Sequence, residues 1–318
     1  MSKNLMINDR ELKSLTDTDH IADFDPQVFS DYIDRAVRSN LVMRDLAAIV
    51  DDRLVGNPGS SIDIRKIGTL QTVNKTEGEE SSYERTDREL VNVKMFPVQE
   101  VPVKFTDEAI EDSNIQEIQV HMDEAAESLA KREDQLHYEL ISGDLGDRVD
   151  AGEFDHEDYD EDGDMEFSPH VLEVETDGEV NYSDAKDAKF KKIDTEDYEA
   201  DSLILHPTLY AELLNDEKFI HANKAGTDEG LRNGYVGRFA DLDVYVTTQA
   251  NEETTDDDAV IGVVIDSDYA FVVADKRRPM MEEYRDTPKG VDKIFARMRF
   301  GNRILNEDAI CHLVNSGA

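Results

Sequence analysis

Hydrophobic spacing changes period several times along the chain, and each change marks an element. Residues 1–25 are polar and charged without a sustained period and read as a flexible arm. From Asp25-Pro26, the residues Val28, Phe29, Tyr32, Ile33 and Ala36 recur every three to four positions, which predicts a helix with Pro26 in its first turn. Leu41, Met43, Leu46, Ala47 and Val50 predict a second helix, ended by the turn signal Gly56-Asn57-Pro58-Gly59. The period then drops to two. Ile62 and Ile64 alternate with polar partners, as do Val91, Val93 and Met95, then Val101, Val103 and Phe105. The intervening QTVNKTEGEESSYERTDRE has almost nothing to bury, so 60–105 reads as a long two-stranded hairpin with a solvated tip. Such a hairpin is marginal alone in water and needs something to lie on. Pro97 and Pro102 suit a sheet edge.

A rod follows. Ser113 is a good N-cap and Gly143 a good stop, and Ile115, Ile118, Met122, Ala126, Leu129, Leu136 and Leu140 fall on one stripe. A helix of this length spans roughly 42 Å, with one buried seam and charged faces elsewhere. Residues 147–202 are the most acidic, with a strand expected at Val171–Val174. SLILHP, LDVYVTTQ, AVIGVVID and YAFVVAD read as strands and TLYAELLNDEKF as a helix. RRPMMEEYRD through AICHLV reads as three successive strands, with Arg297, Arg299 and Arg303 on one exposed sheet face. No repeat of 20–50 residues is visible.

Charge changes the picture more than size does. The chain has 318 residues, with 34 Lys+Arg against 74 Asp+Glu and a formal net charge of −40. Apolar residues at 39% suffice for a core, so wholesale disorder is not expected. No apolar run approaches the roughly 20 residues of a membrane helix, and the start lacks a secretory pattern, so neither a membrane nor a leader is expected. The lone Cys311 excludes an intramolecular disulfide and a cysteine-rich zinc cluster. Such acidity repels nucleic-acid phosphates. Because the acids are spread along the whole chain, adaptation to multimolar salt explains them better than a solvating tail. There the Debye length falls to about 3 Å or less and self-repulsion is muted.

Catalytic signatures are missing: there is no GxxxxGK[ST], GxSxG, HExxH or strand-linked GxGxxG. No enzyme activity and no cofactor are expected. Asp158, Asp160, Asp162 and Gly163 match the first half of a calcium loop, but position twelve is Pro169 rather than Glu, which makes these three weak metal candidates and a hydrated acidic loop the better reading. His121 and His137 read as surface histidines, His206 as a packing or capping residue, and Cys311 as a small core residue without a basic partner. The basic runs 186–192 and 275–279 read as partners of nearby acids.

Arm, helices, polar-tipped hairpin, rod, then α/β with returning strands is an order that resembles the major capsid protein of tailed viruses, with the Hong Kong 97-like fold. ESLAKREDQLHYELISGDLG (127–146), SLILHPTLYAELL (202–214), GYVGRFADLDVYVTT (234–248) and the stretch 268–310 carry the resemblance, which covers roughly 26–314. It implies an α+β fold with an N-terminal arm and helices (1–55), an extension-loop hairpin (56–105) and a peripheral domain with a spine helix (106–149). An axial domain with an acidic insertion (150–275) and C-terminal strands returning to the peripheral and axial domains (276–318) complete it. It further implies a homo-oligomer of hexamers and pentamers forming an icosahedral shell around double-stranded DNA in a virion, made in the host cytoplasm; the acidity adds the expectation of an archaeal virus of an extreme halophile. Decorating, scaffold and portal proteins are implied partners. Arg65, Lys66, Lys75, Tyr83, Arg85, Arg88 and Lys94 in the hairpin become candidates for contact with neighbouring subunits. Lys66, Lys75 and Lys94 are not singled out for a covalent cross-link. An encapsulin-like compartment and an acidic calcium-binding surface module are the alternatives.

Overall fold

The computed structural model describes Val37 and residues 41–67, 88–106, 115–160, 162–174, 180–196, 198–213, 235–239, 241–250 and 259–315. The helix expected from Pro26, the cap at Ser113 and the hairpin tip lie outside these residues. The second expected helix is corrected. Only Met43–Leu46 forms a 3-10 turn, and Ile49–Asp51 is a strand, β1. Its exposed Ile49 and Val50 have no helical seam to join, whereas β1 pairs in parallel with a later strand.

β2 (Ser61–Ile67) and β3 (Arg88–Lys94) form a two-stranded antiparallel sheet, with Ser61 opposite Lys94 and Ile64 opposite Val91. The expected hairpin over 60–105 is therefore too long. Pro97 lies in the break after β3, and β4 (Gln99–Thr106) departs to another sheet. There it is the edge strand, as Pro102 requires. The sheet runs in the order β1, β10 (Phe271–Asp286), β11 (Val291–Ile304), β4. Met95, Ile64 and Val93 bury one face of the hairpin root against Leu54, Val272 and Ala274. The root thus lies on its own body rather than on a copy.

The rod is α1, Ile115–Ser142, ended by Gly143 at φ 96°. Its first described turns show one seam, but Leu136, Tyr138, Leu140 and Ile141 are all fully buried. The expected surface rod becomes an interior helix at its C-terminal end, because two layers close on it. α2 (Gly146–Asp150) follows directly. Helix ends leave carbonyls without intrahelical donors. Here Tyr159 Oη donates to the Leu140 carbonyl (3.0 Å) and His312 Nε2 to that of Ile141 (2.6 Å).

The second layer is a six-stranded sheet in the order β5 (His170–Glu173), β12 (Ile310–Val314), β9 (Val260–Ile265), β6 (Ser202–Leu205), β8 (Leu242–Val246), β7 (Tyr235–Phe239). Its central strands are apolar on both faces because both are covered. Ile204, Val263 and Ile265 pack toward α1, while Leu203, Leu205 and Val264 face α3 (Tyr182–Lys191) and α4 (Pro207–Leu213). Of the three C-terminal strands expected, the first is continuous with YAFVVAD in the 16-residue β10.

Arg297, Arg299 and Arg303 share a face of β11, but it is half-buried rather than exposed. Its cations meet Glu100 and Glu282, the Phe96 carbonyl, and the 157–158 pair respectively. Gly301 sits where the hairpin root crosses β11. A Cβ there would lie 2.1 Å from the Lys94 carbonyl oxygen, a clash of backbone that no rotamer relieves. Gly301→Ala should cost about 3 kcal/mol in chemical denaturation, against about 1 kcal/mol for Gly56→Ala, where φ is 75° but nothing lies within 4 Å. Equal costs at the two sites would contradict this crossing.

Candidate inter-subunit surface

Of the hairpin candidates, Arg65 is exposed, Lys66 is half-buried, and Arg88 opens β3 opposite Ile67. Lys75, Tyr83 and Arg85 lie outside the described residues. β2 and β3 turn one face inward through Ile64, Val91 and Val93, and the other carries Ser61, Asp63, Arg65, Leu90 and Lys94 into solvent. Leu90 is an apolar side chain left 58% exposed. Lys94 reaches Glu157 at 3.2 Å within the same chain.

Glu157 and Asp158 hold the hairpin root from the side. Arg303 binds both carboxylates and donates to the Asn92 carbonyl of β3 (2.6 Å), while Asp158 accepts the Ile304 backbone N–H (2.9 Å). One arginine thus ties β3, β11 and the acidic loop together. The calcium-type candidates are not brought into one cage. Asp158 faces Arg303, Asp160 caps its own turn by accepting from Asp162 N (3.0 Å) and Asp164 N (2.8 Å), and Asp162 is exposed. Gly163 serves packing instead: a Cβ there would lie 2.5 Å from the Gly146 carbonyl oxygen. Among the described residues no cluster of His, Cys, Asp and Glu could hold a metal ion. The acidic loop turns its aromatic residues inward. Phe154 meets Phe96 edge-on at 4.7 Å, and Tyr159 meets Phe167 at 5.9 Å.

A second knot fixes the chain where it enters the body. The Asp134 carboxylate on α1 accepts the backbone N–H groups of Val42 (2.9 Å) and Met43 (3.0 Å). Beside it Arg44 bridges Glu133 (2.6 Å) and Asp275 of β10. His137, expected at the surface, is fully buried; Asn302 Nδ2 donates to its Nδ1 (2.9 Å), and its Nε2 lies 3.6 Å from Glu133. Burial pushes the Glu133 carboxyl up, but His137 and the Arg44 guanidinium outweigh it and hold the group below its ordinary range. Glu133 and His137 lie four apart on the α1 seam, which is the signal in the sequence that could have marked them as interior. Cys311 is buried as expected, and burial pushes its thiol up to about 12. His206 Nδ1 accepts from Thr208 N at 3.3 Å, capping α4.

The family model described as phage capsid protein matches residues 103–312. The chain belongs to the phage capsid protein family. Its members are structural capsid proteins and not enzymes. Solved structures agree on the fold. A capsid structure of the cyanophage P-SCSP1u aligns at 15% identity over 87% of this chain and 89% of that one, with a TM-score of 0.61. The mature capsid of bacteriophage PhiM1 aligns at 14% identity over 86% and 87%, with a TM-score of 0.58. The capsid of an empty GTA particle, computed with C5 symmetry, aligns at 17% over 88% and 91%, with a TM-score of 0.56. The architecture is the Hong Kong 97-type α+β fold of phage major capsid proteins. No curated protein matches the chain in sequence.

The entry knot titrates. Burial raises the Asp134 carboxyl to about 7, against the two N–H bonds that favour its charge. A carboxyl raised in the fold gives stability that is complete below the ordinary carboxylate range and is lost as pH rises through about 7. Asp134→Asn keeps an acceptor for Val42 and Met43 and removes the charge. In melting series between about pH 5 and about pH 8 at fixed salt, the parent should fall relative to the variant as pH rises. Parallel curves would contradict a buried ionising group there.

Proposed function

We propose that this chain is the major capsid protein of a tailed virus and assembles as hexamers and pentamers into an icosahedral head around double-stranded DNA. The observation that carries the reading is the β2–β3 pair, docked at its root and with Arg65 and Leu90 exposed on its outer face, in a chain of the phage capsid protein family. The likeness to solved phage and GTA capsids supports assembly into a shell. In this reading 56–105 contains the extension loop, α1 is the spine helix of a peripheral domain, and the six-stranded sheet belongs to the axial domain. The outward residues Arg65 and Leu90, with Lys66, Lys75, Tyr83, Arg85, Arg88 and Lys94, meet neighbouring subunits. Heterologous contacts that close into rings make capsomers, and contacts between rings make the shell.

The charge of −40 supports a host in concentrated salt; synthesis in the host cytoplasm belongs to the same proposal. Copies packed side by side repel unless their surfaces are screened, and screening at multimolar salt acts over about 3 Å. An acidic wall encloses DNA without gripping its sequence. Decorating, scaffold and portal proteins complete the expected partners.

Electron microscopy of the purified chain in multimolar salt should show rings and closed shells, and particles from infected cells should hold nuclease-resistant DNA. Protein cargo in place of DNA would favour an encapsulin-like compartment, and a discrete monomer at every protein concentration would contradict assembly. Stepwise dilution of the salt should release subunits from the shells; particles that survive dilution unchanged would contradict the halophilic reading.

A further inference from the structure

A groove of about 480 Å³ lies beside the hairpin root, and every charged residue lining it is a cation: Lys276, Arg277, Arg278 and Arg299. This is notable in a chain where acids outnumber bases more than two to one. The groove exists because the β10–β11 pairing slips twice between Asp275 and Met280, leaving Lys276, Arg278 and Pro279 without register partners while Arg277 stays opposite Arg299. Val98 and Met280 supply apolar lining, and the 55–57 turn closes one end.

The partners of these cations show what is missing. Lys276 Nζ donates to the Leu54 carbonyl (3.3 Å) and to that of Asn57, and Arg299 Nε to that of Phe96 (2.8 Å). Neither touches a carboxylate among the described residues. Arg277 lies 3.7 Å from Glu282, which Arg297 also claims, and Arg278 pairs with the exposed Asp52. Fixed cations held on neutral carbonyls leave a positive field in the groove. Apolar lining beside it fits an extended peptide better than a small anion.

We propose that this groove receives the acidic segment Thr76–Ser82 of a second copy of the chain, an assignment that rests on the shell reading above. The segment TEGEESS carries Glu77, Glu79 and Glu80, no cation and no large side chain, so its backbone can come close to the groove. The groove is built from residues just before β2 and just after β3, and the seven-residue strands carry the chain about 20 Å away from that root. A head-to-tail contact between copies satisfies both ends, and a partly enclosed pair survives salt that erases exposed ones.

The test is charge exchange in the full chain. Arg277→Glu with Arg278→Glu should lower the fraction sedimenting as shells about tenfold, as should Glu79→Lys with Glu80→Lys, and the four changes together should restore it to within about twofold of the parent. Circular dichroism identifies any variant that fails to fold. For that case the unaltered chain serves: zero-length carbodiimide coupling of shells assembled from isotopically light and heavy subunits should join Lys276 to Glu77, Glu79 or Glu80 of the other isotope. Coupling within one copy, coupling of Lys276 to 252–258 instead, or variants that assemble like the parent would overturn the groove assignment and leave the shell reading standing. Failure of the parent to assemble would overturn both.

Discussion

A ribbon of two strands has two faces, and the body of this chain covers one face of one end. Ile64, Val93 and Met95 find Leu54, Val272 and Ala274, and among the described residues nothing comparable meets Leu90 or Arg65 on the other side. Two strands of seven residues cannot supply a core of their own. In the shell reading proposed above, for a chain of the phage capsid protein family, the covering surface is other copies of the same chain.

The rest of the structure is arranged to aim the ribbon. Gly301 lets the root cross β11 at backbone contact, and Arg303 binds β3 to the acidic loop and to β11. Behind them α1 is held between a sheet on which the root lies and a sheet covered on both faces. Few of the chain's cations are needed inside, and those that are used sit at junctions between elements. Arg44 joins the entering segment, α1 and β10; Arg303 joins the root and the loop. Removing one partner of such a buried set leaves an uncompensated charge, which costs about 3–5 kcal/mol.

Much of this is legible in the amino-acid sequence, and the failures have physical causes. The rod from 115 to 142 is readable because its seam keeps a helical period over seven turns and Gly143 ends it. SLIL and VIGVVI are readable because strands covered on both faces need no alternation. The 41–50 segment misleads because apolar residues at helical spacing also suit a short turn followed by an edge strand, and only the pairing with Ile49–Asp51 decides between them. The expected hairpin is too long because β4 alternates like β3; its departure at Pro97 depends on a partner, β11, nearly 190 residues away. Asp158 resembles a metal ligand because a carboxylate awaiting calcium and one awaiting arginine look alike in sequence. The inward Phe154, His156 and Tyr159 are hidden by the acids between them.

Hydrogen exchange at the amides of 61–67 and 88–94 tests the central claim most directly, compared between dissociated subunits and intact shells in the same salt. Covering by neighbours predicts that these amides exchange at least about tenfold more slowly in the shell, while α1, already interior, changes little. Equal protection of the ribbon in both states would show that it is complete without its copies, contrary to this account.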